Sequence, residues 1–172
     1  MLPVMKHMPG HGRGTVDSHH ELPVVDVALD DLDKHDFVPF RALNKELMAM
    51  SAHLVFTAID PTAPATTSKK VIDEIIRERI GFDGLLMSDD TSMNALRGTL
   101  GERAANIVAG GCDMVLHCNG VMSEMLEVVK QVPMLAGKAL ERAQAVEAGF
   151  QQADASDEAA LRAEFNAMWA VA

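Results

Sequence analysis

The feature that most constrains this fold is the alternation of short apolar runs with longer amphipathic stretches. The four apolar runs, interpreted as strands, lie at residues 2–5, 53–59, 84–87 and 113–116. The stretches between them place apolar residues at helical intervals, as at Val71, Ile75 and Ile76, with charged residues between them. Alternating strands and helices at this pitch are typical of βαβ units around a parallel sheet. We therefore predict an α/β fold.

Local sequence signals also indicate where several helices begin and end. Ser68 is a plausible N-cap and Gly81 a plausible end for the first helix. A second helix is predicted over residues 102–109 and ends at the two glycines that follow, Gly110 and Gly111. From about residue 121 onward the pattern is only helical. The helices predicted there cover residues 122–131, 134–152 and 156–169.

The length limits how much of an α/β architecture is present. The chain has 172 residues, whereas a full (β/α)₈ barrel takes about 250. Four βα units amount to half of such a barrel, and the chain starts inside what looks like a strand. We predict one partial (β/α)₈-barrel domain over residues 1–172. Within it, residues 1–120 supply βα units with catalytic loops, and residues 121–172 supply closing helices.

Composition excludes some partners. Residues are 48% hydrophobic and 23% charged, with a formal net charge of -10. This acidity argues against nucleic acid or an anionic membrane surface as partner. No run approaches the roughly 20 apolar residues of a membrane span, and no signal-peptide core is visible. Cys112 and Cys118 flank one apolar run, so we expect two reduced core thiols and a cytoplasmic protein.

Ionisable side chains collect directly after the predicted strands. Lys6 and His7 follow the first run, Asp89 and Asp90 the third, and His117 the fourth. Barrel active sites lie at the carboxyl ends of the strands and are built from the βα loops. Loops are polar in any case, but three loops with ionisable groups at the same end favour an active site.

A glycine-rich loop follows the first run and contains Asp17 and His19. At this spacing an extended or turn segment can bring the carboxylate to the imidazole. The carboxylate would then fix the tautomer and raise the basicity of the other ring nitrogen, which makes a general acid/base. A purely structural Asp–His contact is an equally simple interpretation. The nearby His7, His11, His19 and His20 also leave a metal-dependent hydrolase open, although no recognised metal motif is present.

Asp89 ends an apolar strand, which suits a nucleophile or an electrostatic stabiliser. From the residues alone, an N-cap of the next helix or a metal ligand is as plausible. We interpret Asp90 as a cap or a supporting residue, and His53 and His11 as structural.

Together these segments resemble glycoside hydrolase family 3, specifically the single-domain β-N-acetylglucosaminidases of peptidoglycan recycling. The matching stretches are KHMPGHG over residues 6–12, DSH over 17–19, LP at 22–23, GFDGLLMSDD over 81–90 and AGGCDMVL over 109–116. Two long motifs in the right order make chance agreement very unlikely. The resemblance is strong to about residue 119 and loose in the helical tail.

The resemblance implies a retaining β-N-acetylhexosaminidase without a cofactor or metal, acting on N-acetylglucosamine-containing glycans or muropeptides. It implies that Asp89 is the nucleophile, that His19 is the acid/base with Asp17 as its dyad partner, and that Lys6 and His7 bind the sugar. Because a neutral histidine does not repel anions as a carboxylate does, phosphorolysis is an alternative outcome.

Family members of this type are full barrels, so the resemblance also implies that the first half of the barrel is absent. An open half-barrel exposes sheet edges and apolar surface, which favours self-association. We therefore expect weak or no glycosidase activity from this chain alone. A truncated chain that at most binds sugar is the alternative function.

Overall fold

A computed structural model of the chain describes residues 2–151 and 155–169. Its six strands are β1 (Met5–Met8), β2 (Val24–Val25), β3 (Met48–Ser51), β4 (Val55–Phe56), β5 (Leu85–Asp90) and β6 (Met114–Leu116). Four of them form a parallel sheet in the order β1-β3-β5-β6. The strands therefore lie side by side in chain order, which is the winding of a partial (β/α)₈ barrel and confirms the predicted α/β class.

Two strand predictions are wrong in position. The first strand covers Met5–Met8 rather than residues 2–5, so Lys6 and His7 lie within the strand. The second sheet strand is Met48–Ser51, whose apolar residues are methionine and alanine rather than the β-branched or aromatic residues that favour strands. Residues 55–56, inside the run predicted as that strand, instead pair with β2 in a separate two-stranded sheet. Burial of the whole run 51–56 explains its apolar composition without a place in the main sheet.

The helices lie on the predicted stretches. Their bounds are α1 (Leu29–Asp31), a π-type turn (Leu32–Asp36), α2 (Val38–Ala42), a 3₁₀ turn (Ala65–Thr67), a π-type helix (Val71–Arg79), α3 (Leu100–Gly110), α4 (Met122–Val129), α5 (Gly137–Gly149) and α6 (Glu158–Trp169). The Ser68 hydroxyl accepts a hydrogen bond from the Val71 amide at 3.2 Å, as expected of an N-cap. Thr99 and Glu102 form a capping box at the start of α3, and Gly111 ends it with φ of 109°.

The core lies between the main sheet and the helices that follow β3 and β5. Ile72 and Ile76 of the π-type helix, Ile107 of α3 and Leu86 of β5 are all almost fully buried. Close packing also dictates one glycine: a Cβ on Gly84 would lie 2.6 Å from the Glu46 carbonyl oxygen, so only glycine fits where β5 begins.

A buried ion-pair network ties the amino-terminal ends of β5 and β6 to two helices. The Asp113 carboxylate lies 2.8 Å from a guanidinium nitrogen of Arg77 and 2.8 Å from one of Arg142, and its side chain is only 5% exposed. It also accepts the Leu86 amide at 2.8 Å. Arg77 donates in turn to the carbonyl oxygen of Gly84 at 2.8 Å. The network fixes where β5 enters the sheet.

The carboxyl-terminal helices are packed more loosely. Val128 of α4 and Val146 of α5 are buried, but α6 has no buried residue among those described. The division into βα units over residues 1–120 and closing helices over 121–172 thus stays a prediction. Residue 152, where the predicted helix 134–152 ends, lies outside the described residues.

Cys112 is buried and Cys118 is exposed, and both are free thiols. The prediction of two core cysteines is therefore wrong for Cys118, which lies beyond the end of β6. Among residues 2–151 and 155–169, no helix is long and apolar enough to cross a membrane.

Candidate active site

The last two residues of β5, Asp89 and Asp90, form the centre of the site. Asp89 is partly buried, with 14% of its side chain exposed, and its Oδ1 accepts the Asp90 amide at 2.9 Å. The other carboxylate oxygen, Oδ2, faces His7 of β1, which lies two strands away in the sheet. A strand end is a rigid mount for a carboxylate, because the sheet beneath fixes the backbone.

His7 comes to Asp89 from β1. Its Nε2 lies 3.5 Å from Asp89 Oδ2, and its ring meets that of His11 edge-on at 5.8 Å. Burial lowers the pKa of His7, and the Lys6 charge adds to this, although the Asp89 carboxylate opposes both. A neutral His7 can donate one hydrogen bond without placing a positive charge on the carboxylate.

Lys6 precedes His7 on β1 and is exposed. Its ammonium group forms no ion pair or hydrogen bond with any residue that the structure describes. A lysine left in this way beside a carboxylate site is available to a ligand.

Asp17 and His19 form the predicted dyad. Asp17 Oδ1 lies 2.7 Å from His19 Nδ1 and also accepts the His19 amide at 2.9 Å. The backbone turns here, since the amides of His20 and Glu21 both donate to the Asp17 carbonyl oxygen. The hydrogen bond from Asp17 raises the pKa of His19, and the bonds from the His19 amide and ring lower the pKa of Asp17.

The dyad lies at the surface, with 59% of the Asp17 side chain and 72% of the His19 side chain exposed. Within the described residues, no hydrogen bond or ion pair joins it to Asp89. The negative charges of Asp89 and Asp90 nevertheless add to the rise in the pKa of His19, so the two parts share one electrostatic environment. The structure therefore brings together His7 with Asp89 and Asp17 with His19, and leaves the two pairs apart.

Asp90 is held by a network that the sequence did not reveal. Its carboxylate accepts the amide and hydroxyl of Ser92 and the amide of Cys118 at 3.1 Å, and His117 Nδ1 lies 4.0 Å away. Burial alone would raise the pKa of Asp90, but these hydrogen bonds outweigh it and lower the pKa. Asp90 is thus an anion built into the end of β5.

His117 and Glu124 extend this network to α4. His117 Nε2 lies 3.1 Å from Glu124 Oε2, close enough for an ion pair although the atoms do not meet hydrogen-bond geometry. The Asn119 amide donates to the same Glu124 oxygen at 3.1 Å. The positions of His117 and Asn119 after β6 gave a sequence signal for this cluster, whereas nothing in the sequence indicated Glu124.

The described residues offer no group of three or more His, Cys, Asp or Glu side chains that could hold a metal ion. A cavity of about 680 Å³ lies to one side, between the β2–β4 pair and α3. Its lining includes Leu22, Thr57 and Arg103 but not Asp89 or either member of the dyad. This cavity is therefore separate from the Asp89 site.

Comparisons with known proteins identify the family to which the chain is similar. Residues 1–150 match the family model "Glycosyl hydrolase family 3 N terminal domain". The beta-hexosaminidase of Bordetella avium (strain 197N) is 37% identical over 134 residues, covering 74% of this chain and 38% of that protein. The beta-hexosaminidase of Alkalilimnicola ehrlichii is 45% identical over 123 residues, covering 69% and 35%. The chain thus spans little more than a third of the length of these relatives.

Solved structures give the same result. NagZ from Neisseria gonorrhoeae, in complex with N-trifluoroacetyl-D-glucosamine, matches with a TM-score of 0.73 and 35% identity over 84% of this chain and 42% of that chain. The beta-N-acetylglucosaminidase from Thermotoga maritima matches with a TM-score of 0.73 and 30% identity over 88% and 36%. Sequence and fold agree over most of the chain, which therefore belongs to the family of the glycosyl hydrolase family 3 N-terminal domain.

Proposed function

We propose that this chain carries the catalytic groups of a retaining β-N-acetylhexosaminidase, which hydrolyses terminal non-reducing β-N-acetylglucosamine. The observation that carries the proposal is the pairing at one end of the sheet: a partly buried carboxylate beside a neutral histidine, and an Asp–His dyad with a raised histidine pKa. Membership of a family whose relatives are named beta-hexosaminidases supports it.

In the proposed reaction, Asp89 attacks the anomeric carbon and forms a covalent glycosyl-enzyme while the bond to the leaving oxygen breaks. His19 gives its proton to that oxygen. In the second step His19 takes a proton from water, whose oxygen attacks the anomeric carbon and releases Asp89. Two displacements at one carbon retain the β configuration.

Asp17 supports this acid/base role by its contact with His19. The raised pKa keeps a larger fraction of His19 protonated near neutral pH, which the first step needs. Retaining hydrolysis usually has its two groups about 5–5.5 Å apart. The exposed dyad loop with Gly10, Gly12 and Gly14 therefore has to close over Asp89 when the sugar binds.

Sugar binding is assigned to Lys6 and His7. The exposed, unpaired Lys6 ammonium offers donors to sugar hydroxyls, and a neutral His7 next to Asp89 offers one more. The proposed substrate is a peptidoglycan-derived muropeptide or another N-acetylglucosamine-containing glycan. The cytoplasm is the proposed compartment, which the free thiols Cys112 and Cys118 support.

Self-association is part of the proposal. In the described part of the chain, β1 and β6 each pair on one side only. Apolar residues beside the β6 edge are exposed, including Met114, Met122 and Val129. Unpaired edges and apolar surface of this kind favour pairing with a second chain. Light scattering after size-exclusion chromatography measures the resulting mass.

The test is an assay of the 172-residue chain with an aryl β-N-acetylglucosaminide. We expect slow turnover, below that of the longer relatives, with the β anomer as the first product by NMR. Loss of this turnover in Asp89→Asn supports the proposal. Turnover that persists in Asp89→Asn, or an α anomer as first product, contradicts it.

If no turnover is measured, a thermal-shift experiment tests the alternative function, in which the chain binds sugar without hydrolysing it. A Tm that rises with N-acetylglucosamine assigns the chain as a sugar-binding fragment. Product analysis at high phosphate distinguishes hydrolysis from phosphorolysis, because only phosphorolysis yields a sugar 1-phosphate.

A further inference from the structure

On the side that faces β3, the end of β5 has no strand partner just where Asp89 lies, whereas on the other side Asp90 still pairs with Leu116 of β6. The pairing of β3 with β5 stops at Met50 and Met87, and the register of β5 with β6 shifts between Met87 and Asp90. The Leu116 amide donates to the Ser88 hydroxyl at 3.0 Å. Strand pairing alone therefore does not hold the two aspartates in place.

His53 supplies a hydrogen bond on the side of β5 where pairing with β3 has ended. Its Nε2 lies 3.0 Å from the Asp90 carbonyl oxygen, and its side chain is fully buried. Because a carbonyl only accepts, His53 must carry its proton on Nε2. Burial lowers the pKa of His53, so the ring is neutral at neutral pH. Its Nδ1 has no hydrogen-bond partner among the described residues.

Asp90 connects this histidine to Asp89. The Asp90 amide donates to Asp89 Oδ1 at 2.9 Å, while its carbonyl oxygen accepts from His53. Its carboxylate is held on the other side by Ser92 and by the Cys118 amide. Asp90 is thus fixed at both ends and presents its N–H to the Asp89 carboxylate.

From this geometry we infer that His53 is a positioning residue for Asp89, acting through the main chain of Asp90. It holds the end of β5 on the side where pairing with β3 has stopped, so that Asp89 Oδ1 stays on the Asp90 amide and Asp89 Oδ2 stays free to attack. The inference rests on the proposed role of Asp89 as nucleophile.

Two variants of the 172-residue chain test the inference. His53→Phe fills the space but removes the donor, whereas His53→Gln keeps an N–H that can reach the Asp90 carbonyl oxygen. In His53→Phe we expect the Asp90 amide to exchange its hydrogen at least about fivefold faster, because its acceptor is no longer held. We also expect kcat to fall about 10- to 100-fold with KM nearly unchanged. His53→Gln should restore most of both properties.

Ile107→Val is the matched control, because Ile107 is also fully buried but lies in α3 and belongs to the hydrophobic core. It should lower Tm without changing the hydrogen-exchange rate of the Asp90 amide or the ratio of kcat to KM. Nitrogen NMR of the His53 ring should show a neutral Nε2–H tautomer. These exchange and NMR measurements need no turnover, so they decide the inference even if the chain proves inactive. A ring whose only proton is on Nδ1, or His53→Phe with wild-type Asp90 exchange and kcat, would overturn it.

Discussion

The end of β5, which carries the proposed nucleophile, and the loop that carries the proposed acid/base are built in opposite ways. Asp89 is partly buried on a strand whose start is tied down by the Asp113 network and whose end is held by His53 and Ser92. The Asp17–His19 dyad is largely exposed and is organised by its own short turn. An attacking group gains from a fixed position, whereas a group that must protonate varied leaving groups and then admit water gains from a loop that moves.

The largest effect on turnover is expected at Asp89, which lies on the rigid end of β5. Asp89→Asn should lower turnover by roughly 10³-fold or more, since the variant lacks the proposed nucleophile. Steady-state kinetics and mass spectrometry of the trapped glycosyl-enzyme measure this. Asp30→Asn, an exposed change in α1, is the control and should behave as the parent chain. An adduct on a residue other than Asp89 would refute the assignment.

The Asp113 ion-pair network, which holds the start of the strand that carries Asp89, should contribute more to the free energy of unfolding than an exposed ion pair does. Asp113→Asn leaves the largely buried Arg77 without its charged partner and should lower the free energy of unfolding by about 3 kcal/mol. Asp73→Asn removes an exposed ion pair with Lys69 and should cost less than about 0.5 kcal/mol. Urea denaturation compares the two. Equal losses would show that the Asp113 network does not support the sheet.

The sequence predicted the fold class because periodicity and glycine positions report local structure directly. It misplaced β1 and missed β3 because Met48–Ser51 contains no β-branched or aromatic residue that would indicate a strand. That segment becomes a strand because β1 and β5 pair with it on both sides. Pairing of this kind depends on residues far apart in the chain, which no local pattern contains.

The site shows the same limit. The Asp17–His19 contact could be predicted since the two residues are close in sequence, and the structure joins them at 2.7 Å. The bond from His53 to the Asp90 carbonyl oxygen spans 37 residues and could not be predicted. From sequence His53 was a structural histidine, which describes its burial but not its partner. The roles of these residues in catalysis stay predictions.

The dyad should matter less than Asp89 and in a way that depends on the leaving group. His19→Ala should lower kcat/KM by about 10²-fold for a sugar leaving group, which needs a proton, and far less for an acidic phenol. His20→Ala is the neighbouring control, since the His20 side chain is exposed and outside the dyad. Equal losses for both leaving groups would mean that His19 does not act as the acid.

The smallest effect is expected for Asp17→Asn, and its sign follows from the pKa of His19. Asp17 raises that pKa, so the variant should lose protonated His19 at a lower pH, and the alkaline limb of kcat/KM should move to lower pH. At neutral pH the loss should be on the order of tenfold, less than for His19→Ala. Glu21→Gln removes a nearby exposed charge without touching the imidazole and should leave the limb in place. Because the dyad is exposed, Tm should not change in either variant. A limb that stays fixed in Asp17→Asn would mean that the contact with Asp17 does not set the acidity of His19, and that the loop acts only by carrying the histidine to Asp89.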